Sequence, residues 1–290
     1  MLPEIDLLRP KTLPEALAML AERAPAAKPL AGGTNVVVEL RDGHHGGKSL
    51  VDLSRLQELR GIQRQDGHIV IGGGTTMTDL LMHPLVAAHG SPLKEAAAVF
   101  ANPLVRNRAT VAGNLVDASP AADTAPPLLA LGAEVELVCQ SGSRWVPLHE
   151  FMVGVRKTLI QPHELLRSVR WAAPLPFRSG AAFYKVGLRK ADAISVLSAA
   201  VMVECDEAGN CREARIALGA VAPRPIRAAE AENVLRGQTL KADVIAEAAH
   251  LAAESTRPID DIRATAAYRK RVTEVTVRRL LTRVAETLGR

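Results

Sequence analysis

Apolar positions change period several times along the chain, and each change predicts an element. Leu13, Leu17, Leu20 and Ala24 recur at helical spacing behind Thr12-Leu13-Pro14-Glu15. That is a capping-box spacing with a proline just inside the start, so a first helix is expected, ended by Pro25. Pro29 and Leu30 predict a short strand, Gly32-Gly33 a turn, and Val36-Val37-Val38 with Leu40 a helix or a strand. A polar loop with His44 and His45 follows, to which no role is assigned. Strands are expected over 49–53 and 69–71, after which Gly72-Gly73-Gly74 turns the chain into a helix capped by Thr76, with Asp79 three residues on. A helix of small residues over 93–101 delivers Phe100 to the next segment. Period two over 133–138 and again at 145–147 predicts a hairpin through Ser141-Gly142-Ser143, and 168–171 is another alternating strand. Residues 151–157 read as a loop.

Residues 172–176, with two prolines, read as a linker. Beyond it, strands over 181–186, 193–203 and 211–221 predict an antiparallel meander, and helices follow over 228–235, 240–255 and 264–288. The last carries Tyr268, Val272 and Val275 on one stripe and Val277, Leu281, Val284 and Leu288 on the next. Its exposed side is read as basic: Arg269, Lys270, Arg271, Arg278, Arg279 and Arg283. The fold class is α+β.

Composition narrows the picture. With 48% hydrophobic and 23% charged residues, the chain is a packed protein, and at 290 residues it has room for two or three domains. The net charge of +5 is spread without aromatic interleaving, so no nucleic-acid stripe is seen. No leader pattern and no run of 18 apolar residues occurs, which predicts a cytoplasmic protein without a membrane span. Three scattered cysteines suit reduced thiols and match no zinc or iron–sulfur pattern, so the chain is expected to carry no metal.

The most unusual stretch is 108–131. Thr110-Val111-Ala112-Gly113-Asn114 leads through small residues to Ser119-Pro120, a lone carboxylate at Asp123 and an apolar helical run. Small residues let a backbone approach a ligand, and Thr, Asn and Ser supply short polar groups. Gly32-Gly33-Thr34-Asn35 reads either as an anion nest of backbone N–H groups or as a tight turn without a ligand. The triple glycine is not a dinucleotide fingerprint, because the third glycine of G-x-G-x-x-G would fall on Met77, and no Walker motif exists.

Taken in order, several pieces resemble one family. They are Lys28-Pro-Leu-Ala-Gly-Gly-Thr34, Thr110-Val-Ala-Gly-Asn114, Ala118-Ser-Pro-Ala-Ala-Asp123, Leu165-Leu166 before a strand, Tyr184-Lys185, Arg189-Lys-Ala-Asp-Ala-Ile194 and Ala267-Tyr-Arg-Lys-Arg271. The chain resembles the FAD-binding (medium) subunit of the molybdenum hydroxylases: xanthine dehydrogenases, aldehyde oxidoreductases and aerobic carbon monoxide dehydrogenases. The resemblance implies a two-subdomain FAD-binding fold of the vanillyl-alcohol-oxidase/PCMH type, residues 1–55 and 56–176. A C-terminal domain, 177–290, would hold a three-stranded antiparallel sheet and a three-helix bundle. It implies that Pro29, Leu30, Ala31, Gly32, Gly33, Thr34, Asn35 and Val36 wrap the FAD pyrophosphate through backbone N–H groups. Thr110, Gly113 and Asn114 would close it from the other side. Asp123 is placed at the flavin's ribityl or sugar hydroxyls, Phe100 beside the flavin, Leu166 against the adenine and Lys185 near the isoalloxazine. Ala112 stands where many relatives have a second glycine; a negative φ would accommodate its methyl.

FAD is expected to be held non-covalently, since no histidine stands at a tether position. Molybdopterin and two [2Fe–2S] clusters are expected only in a large and a small partner subunit, in a dimer of heterotrimers, with NAD+ or another acceptor taking the electrons. Two other readings remain: a self-contained FAD-dependent oxidase or dehydrogenase of the same fold, and a structural subunit that has lost its flavin.

Overall fold

The computed structural model describes residues 4–43, 49–173 and 178–289. The chain opens with β1 (Asp6–Leu8), α1 (Leu13–Arg23), β2 (Ala27–Leu30), α2 (Val36–Arg41) and β3 (Ser49–Asp52). The three strands form a parallel sheet in the order β1-β3-β2. Thr12 Oγ1 accepts the Glu15 N–H at 3.3 Å, as the spacing predicts, but Glu15 reaches past the cap to the Lys11 N–H at 2.7 Å. α1 buries Leu13, Ala16, Leu17 and Leu20 against Ala27 and Val51, and Ala24 serves as its C-cap instead of a core position. The three valines open a helix. His44 and His45 lie outside the described residues.

The next unit contains β4 (Ile62–Gln65), β5 (His68–Gly72), α3 (Met77–Met82), α4 (Pro84–His89), α5 (Ser91–Ala98), α6 (Pro103–Arg106), α7 (Val111–Val116) and α8 (Ala125–Ala130). It continues with β6 (Glu134–Cys139), β7 (Gly142–Pro147), α9 (Leu148–Phe151), β8 (Met152–Gly154), β9 (Lys157–Thr158) and β10 (Leu165–Ala172). The sheet order is β4-β5-β10-β6-β7, antiparallel throughout, with β10 at the centre. One face of the sheet, with Ile69, Ile71, Val135, Leu137, Val169 and Trp171, packs on Met77, Leu80, Leu93, Val111, Leu115 and Leu128 from the helices. The other face is polar: the buried Glu136 takes Arg167 Nε and Ser168 Oγ, each at 2.7 Å. Residues 151–157 are no simple loop. They end α9 and make most of a tight hairpin, β8–β9, whose turn holds Arg156 at φ 53°.

β11 (Ser179–Val186), β12 (Leu197–Cys205) and β13 (Cys211–Gly219) form the expected meander, and a two-residue strand, β14 (Ile226–Arg227), adds a fourth member. Strand β12 starts at Leu197, four residues later than the apolar pattern predicts, because the preceding residues turn back on themselves: the Arg189 guanidinium donates to the Asp192 carbonyl. The linker residues 174–177 lie outside the described residues. Helices α10 (Ala229–Leu235), α11 (Ala242–Glu254) and α12 (Ala266–Leu288) cover the sheet with an aliphatic core that includes Val201, Ile216, Leu235, Ile245, Val277 and Leu281. Two assignments on α12 are reversed. Tyr268 is exposed, whereas Arg269 is buried and donates to the carbonyls of Val196 at 3.1 Å and Ala220 at 2.7 Å and to Asp261 at 2.7 Å. The buried residues of α12 are Arg269, Thr273, Thr276, Val277, Leu280, Leu281 and Val284, so the expected Val277, Leu281 and Val284 are buried and three of the seven are polar. Glu95 on α5 fastens this C-terminal unit to the rest, accepting the Phe183 N–H at 2.8 Å and pairing with Arg283. Among the described residues no helix is long and apolar enough to cross a membrane.

Candidate functional site

The loop between β2 and α2 lies directly on the chain that leads into α7. Gly33 has φ +77°, a left-handed conformation that glycine adopts without steric cost. Gly32 is held differently: its α-carbon packs against the backbone of Arg108 and Ala109, leaving no room for a side chain. The two glycine-bearing turns, far apart in sequence, are therefore neighbours. Thr110 caps α7 by accepting the Gly113 N–H at 3.1 Å. Ala112 sits in the first turn of that helix, so its backbone is right-handed and its methyl costs nothing.

Between the turns opens a cleft of about 550 Å³, within the range of roughly 300–1,000 Å³ usual for small-molecule and cofactor sites. Pro29, Ala31, Gly32, Gly33, Thr34, Asn35 and Val36 line one side, Thr110, Gly113 and Asn114 the other, and Phe100 and Leu166 belong to the wall together with residues such as Arg156, Ile160 and Gln161. Leu30, Asp123 and Lys185 are not among the lining residues.

The donors divide unequally between the two turns. Those of Val111, Ala112, Gly113 and Asn114 are already used, on Thr75, Gly73 and twice on Thr110. The N–H groups of Gly32, Gly33, Thr34, Asn35 and Val36 have no acceptor among the described residues. Five successive amides without an acceptor among the described residues, in residues that line a cleft, are donors available to an anion. The second turn serves as the wall that holds the first in place.

Asp123 and Lys185 meet beside this cleft. Lys185 Nζ stands 2.6 Å from Asp123 Oδ2, and the hydroxyl of Ser195 donates to Oδ1 at 2.7 Å. The two charged side chains are 5% and 9% exposed. Burial pushes the Asp123 carboxyl up, against the pull of the Lys185 ammonium and the hydrogen bonds. The cluster borders the cleft on two sides. Thr124, next to Asp123, donates through its N–H and hydroxyl to Asn114 Oδ1 at 3.2 and 2.6 Å, and Lys185 Nζ approaches the carbonyl of Val99, next to Phe100, at 3.5 Å.

Among the residues of this region that escape the sequence reading, Arg156, Ser195 and Arg269 make the charged or hydroxyl contacts that hold it together. Arg156, from the β8–β9 turn, crosses the rim of the cleft to Glu39 on α2 at 2.5 Å and to Asp117 after α7 at 3.2 Å. Ser195 directly follows a quoted motif piece, and Arg269 lies inside another. Only the helical phase of Arg269 with Thr273 and Thr276 signals its burial, and a search for apolar stripes passes over it.

A family model described as the FAD binding domain in molybdopterin dehydrogenase matches residues 3–172, and one described as the CO dehydrogenase flavoprotein C-terminal domain matches residues 182–284. The chain is 36% identical over 279 residues to the 6-hydroxypseudooxynicotine dehydrogenase complex subunit alpha of Paenarthrobacter nicotinovorans, spanning 96% of this chain and 94% of that one. It is 31% identical over 282 residues to the xanthine dehydrogenase FAD-binding subunit of Escherichia coli O157:H7, spanning 97% and 96%. The structure superposes with TM-score 0.95 and 31% identity on a chain of carbon monoxide dehydrogenase from Hydrogenophaga pseudoflava, covering 99% of both.

Proposed function

The chain belongs to the family of FAD-binding subunits of molybdenum hydroxylases, and from that premise we propose that it is the FAD-carrying, electron-transferring subunit of such a complex. The observation that carries this reading is the contact of Gly32 with Arg108, beside five amides that have no acceptor among the described residues and belong to residues lining a cofactor-sized cleft. The residues fit the group. A diphosphate needs donors at close range, and a turn without side chains supplies them without a lysine.

In this reading the amides of 32–36 hold the diphosphate, Leu166 gives the adenine an apolar wall, and Phe100 packs beside the ring system. Asp123 accepts from sugar-alcohol hydroxyls, and Lys185 places a positive charge near the flavin. When bound, FAD supplies the ability to take electrons one at a time and release them in pairs; the protein contributes position and electrostatics. Molybdenum and [2Fe–2S] centres belong to partner chains, and NAD+ or another acceptor receives the electrons. The division 1–55, 56–176 and 177–290, the vanillyl-alcohol-oxidase/PCMH type of fold, a cytoplasmic location and a dimer of heterotrimers belong to the same proposal. The test is titration of the purified chain with FAD, followed by flavin fluorescence and the visible spectrum. Saturable quenching with a protein-perturbed flavin band supports the reading, and FAD that stays free at micromolar protein overturns it.

A further inference from the structure

Both carboxylate oxygens of Asp123 are gripped by the C-terminal unit, and by two different elements of it. Lys185 takes Oδ2 from β11, and Ser195 takes Oδ1 from the connection between β11 and β12. A lysine alone is a poor orienting device. It is a point charge on a flexible stem, and a carboxylate held only by it keeps rotational freedom about its own axis. A second donor on the other oxygen fixes the plane.

Ser195 is well placed to be that donor. It is 2% exposed, and its backbone is pinned by its neighbour Val196. The Val196 N–H bonds the Val186 carbonyl at 2.8 Å, and its own carbonyl accepts from the buried Arg269 at 3.1 Å. Arg269 therefore holds the segment, the segment holds Ser195, and Ser195 sets the Asp123 carboxylate.

We propose that Ser195 is a positioning residue of the FAD site, fixing the plane of Asp123 so that its remaining lone pairs face the sugar-alcohol hydroxyls of FAD. The proposal rests on the reading of Asp123 as a hydroxyl acceptor for FAD. Through Ser195, FAD retention is tied to the docking of the C-terminal unit, although Ser195 itself does not line the cleft.

The experiment is a double-mutant cycle on the full chain, with FAD affinity read by fluorescence at a temperature where every variant is folded. Ser195→Ala is expected to weaken FAD binding on the order of tenfold. Ser195→Thr, which keeps the hydroxyl, should restore most of that loss, and Ser195→Ala should have no further effect once Asp123→Ala is present. A loss of apoprotein stability in Ser195→Ala is expected of any buried hydroxyl and does not discriminate; the coupling in FAD affinity does. Wild-type affinity in Ser195→Ala, with a clear loss in Asp123→Ala, overturns the role of Ser195 and leaves Asp123 standing. So does a Ser195→Ala effect of the same size with and without Asp123. Wild-type affinity in Asp123→Ala overturns the Asp123 reading first, and the proposal with it.

Discussion

Gly32 and Arg108 touch backbone to backbone: a Cβ on Gly32 would stand 1.9 Å from the Arg108 carbonyl oxygen. Since neither partner is a side chain that can swing away, Gly32→Ala has to push the two turns apart. Overpacking of this kind costs about 1–3 kcal/mol, and here it falls on the spacing that forms the cleft. Gly33→Ala is a different insult. Its Cβ would find neighbours at an ordinary 3.5 Å, but its φ of +77° is left-handed, which costs roughly 1–2 kcal/mol. Both variants should bind FAD more weakly than wild type, with Gly32→Ala the weaker of the two by titration. Equal affinity in Gly32→Ala and wild type would falsify the central role of this contact.

Lys185 and Asp123 form an ion pair with little access to water, and such pairs behave asymmetrically. Removing one partner strands a buried charge at a cost of about 3–5 kcal/mol, whereas replacing both with neutral groups is often tolerated. Lys185→Met should therefore be strongly destabilised in urea denaturation. Adding Asp123→Asn to it should recover much of the loss, while the double variant still binds FAD poorly. A double variant less stable than Lys185→Met alone would contradict the pairing seen here.

The elements were readable wherever one local force dominated. The cap at Thr12, a hairpin near Ser141 and the period-two strand leading to Trp171 all follow from residues close in sequence, although Gly142 and Ser143, expected in the turn, are already paired in β7 and the turn is Gln140-Ser141. The two small-residue turns that line the cleft stand out in the sequence, because glycines and short polar side chains mark close backbone approach, whereas the wall from Ile160 to Leu165 carries no such mark. Three things were hidden, each for a physical reason. Strand β12 starts late because a polar turn at Arg189 and Asp192 outweighs the β-branched pattern of residues that could have extended it. Arg269 is buried because three partners compensate its charge, and those partners come from 8, 49 and 73 residues away. The unequal supply of amides by the two turns depends on Thr110 capping its own helix and on acceptors at Gly73 and Thr75, which spacing alone does not specify.

Thiol chemistry offers a check independent of FAD. Cys139 is held below its usual range, chiefly by the Ser141 hydroxyl at 3.1 Å. Burial pushes Cys205 up, and pushes Cys211 up to about 12. Since the thiolate is the reactive form, limited alkylation at about pH 8 should modify Cys139 first and leave Cys211 untouched until the chain unfolds. Peptide mapping decides the order. Early modification of Cys211 in the folded chain would mean that β13 does not bury it as described.

Asp261 and Arg269 supply the pH-dependent prediction. The N–H of Arg263 at 2.8 Å, with the Arg269 guanidinium and the N–H of Ala264, holds the Asp261 carboxyl well below the usual carboxylate range, against the opposing effect of burial. A depressed folded-state pKa means that the unfolded chain takes up this proton first. Asp261 thus contributes its full stabilisation above the unfolded value of about 3.9, and loses it progressively as pH falls below that value and through the lower folded one. Wild type should therefore exceed Asp261→Asn in melting temperature by a constant margin near neutral pH, and the margin should shrink between about pH 4 and pH 3. Arg269→Met acts on the other partner. It strands the buried carbonyls of Val196 and Ala220, so stability should fall at neutral pH by about 1–3 kcal/mol for each carbonyl left without a donor. A margin between wild type and Asp261→Asn that stays constant down to about pH 3 would show that the carboxylate does not hold the start of α12. The anchoring of Val196, and with it of Ser195, would then rest on the arginine alone.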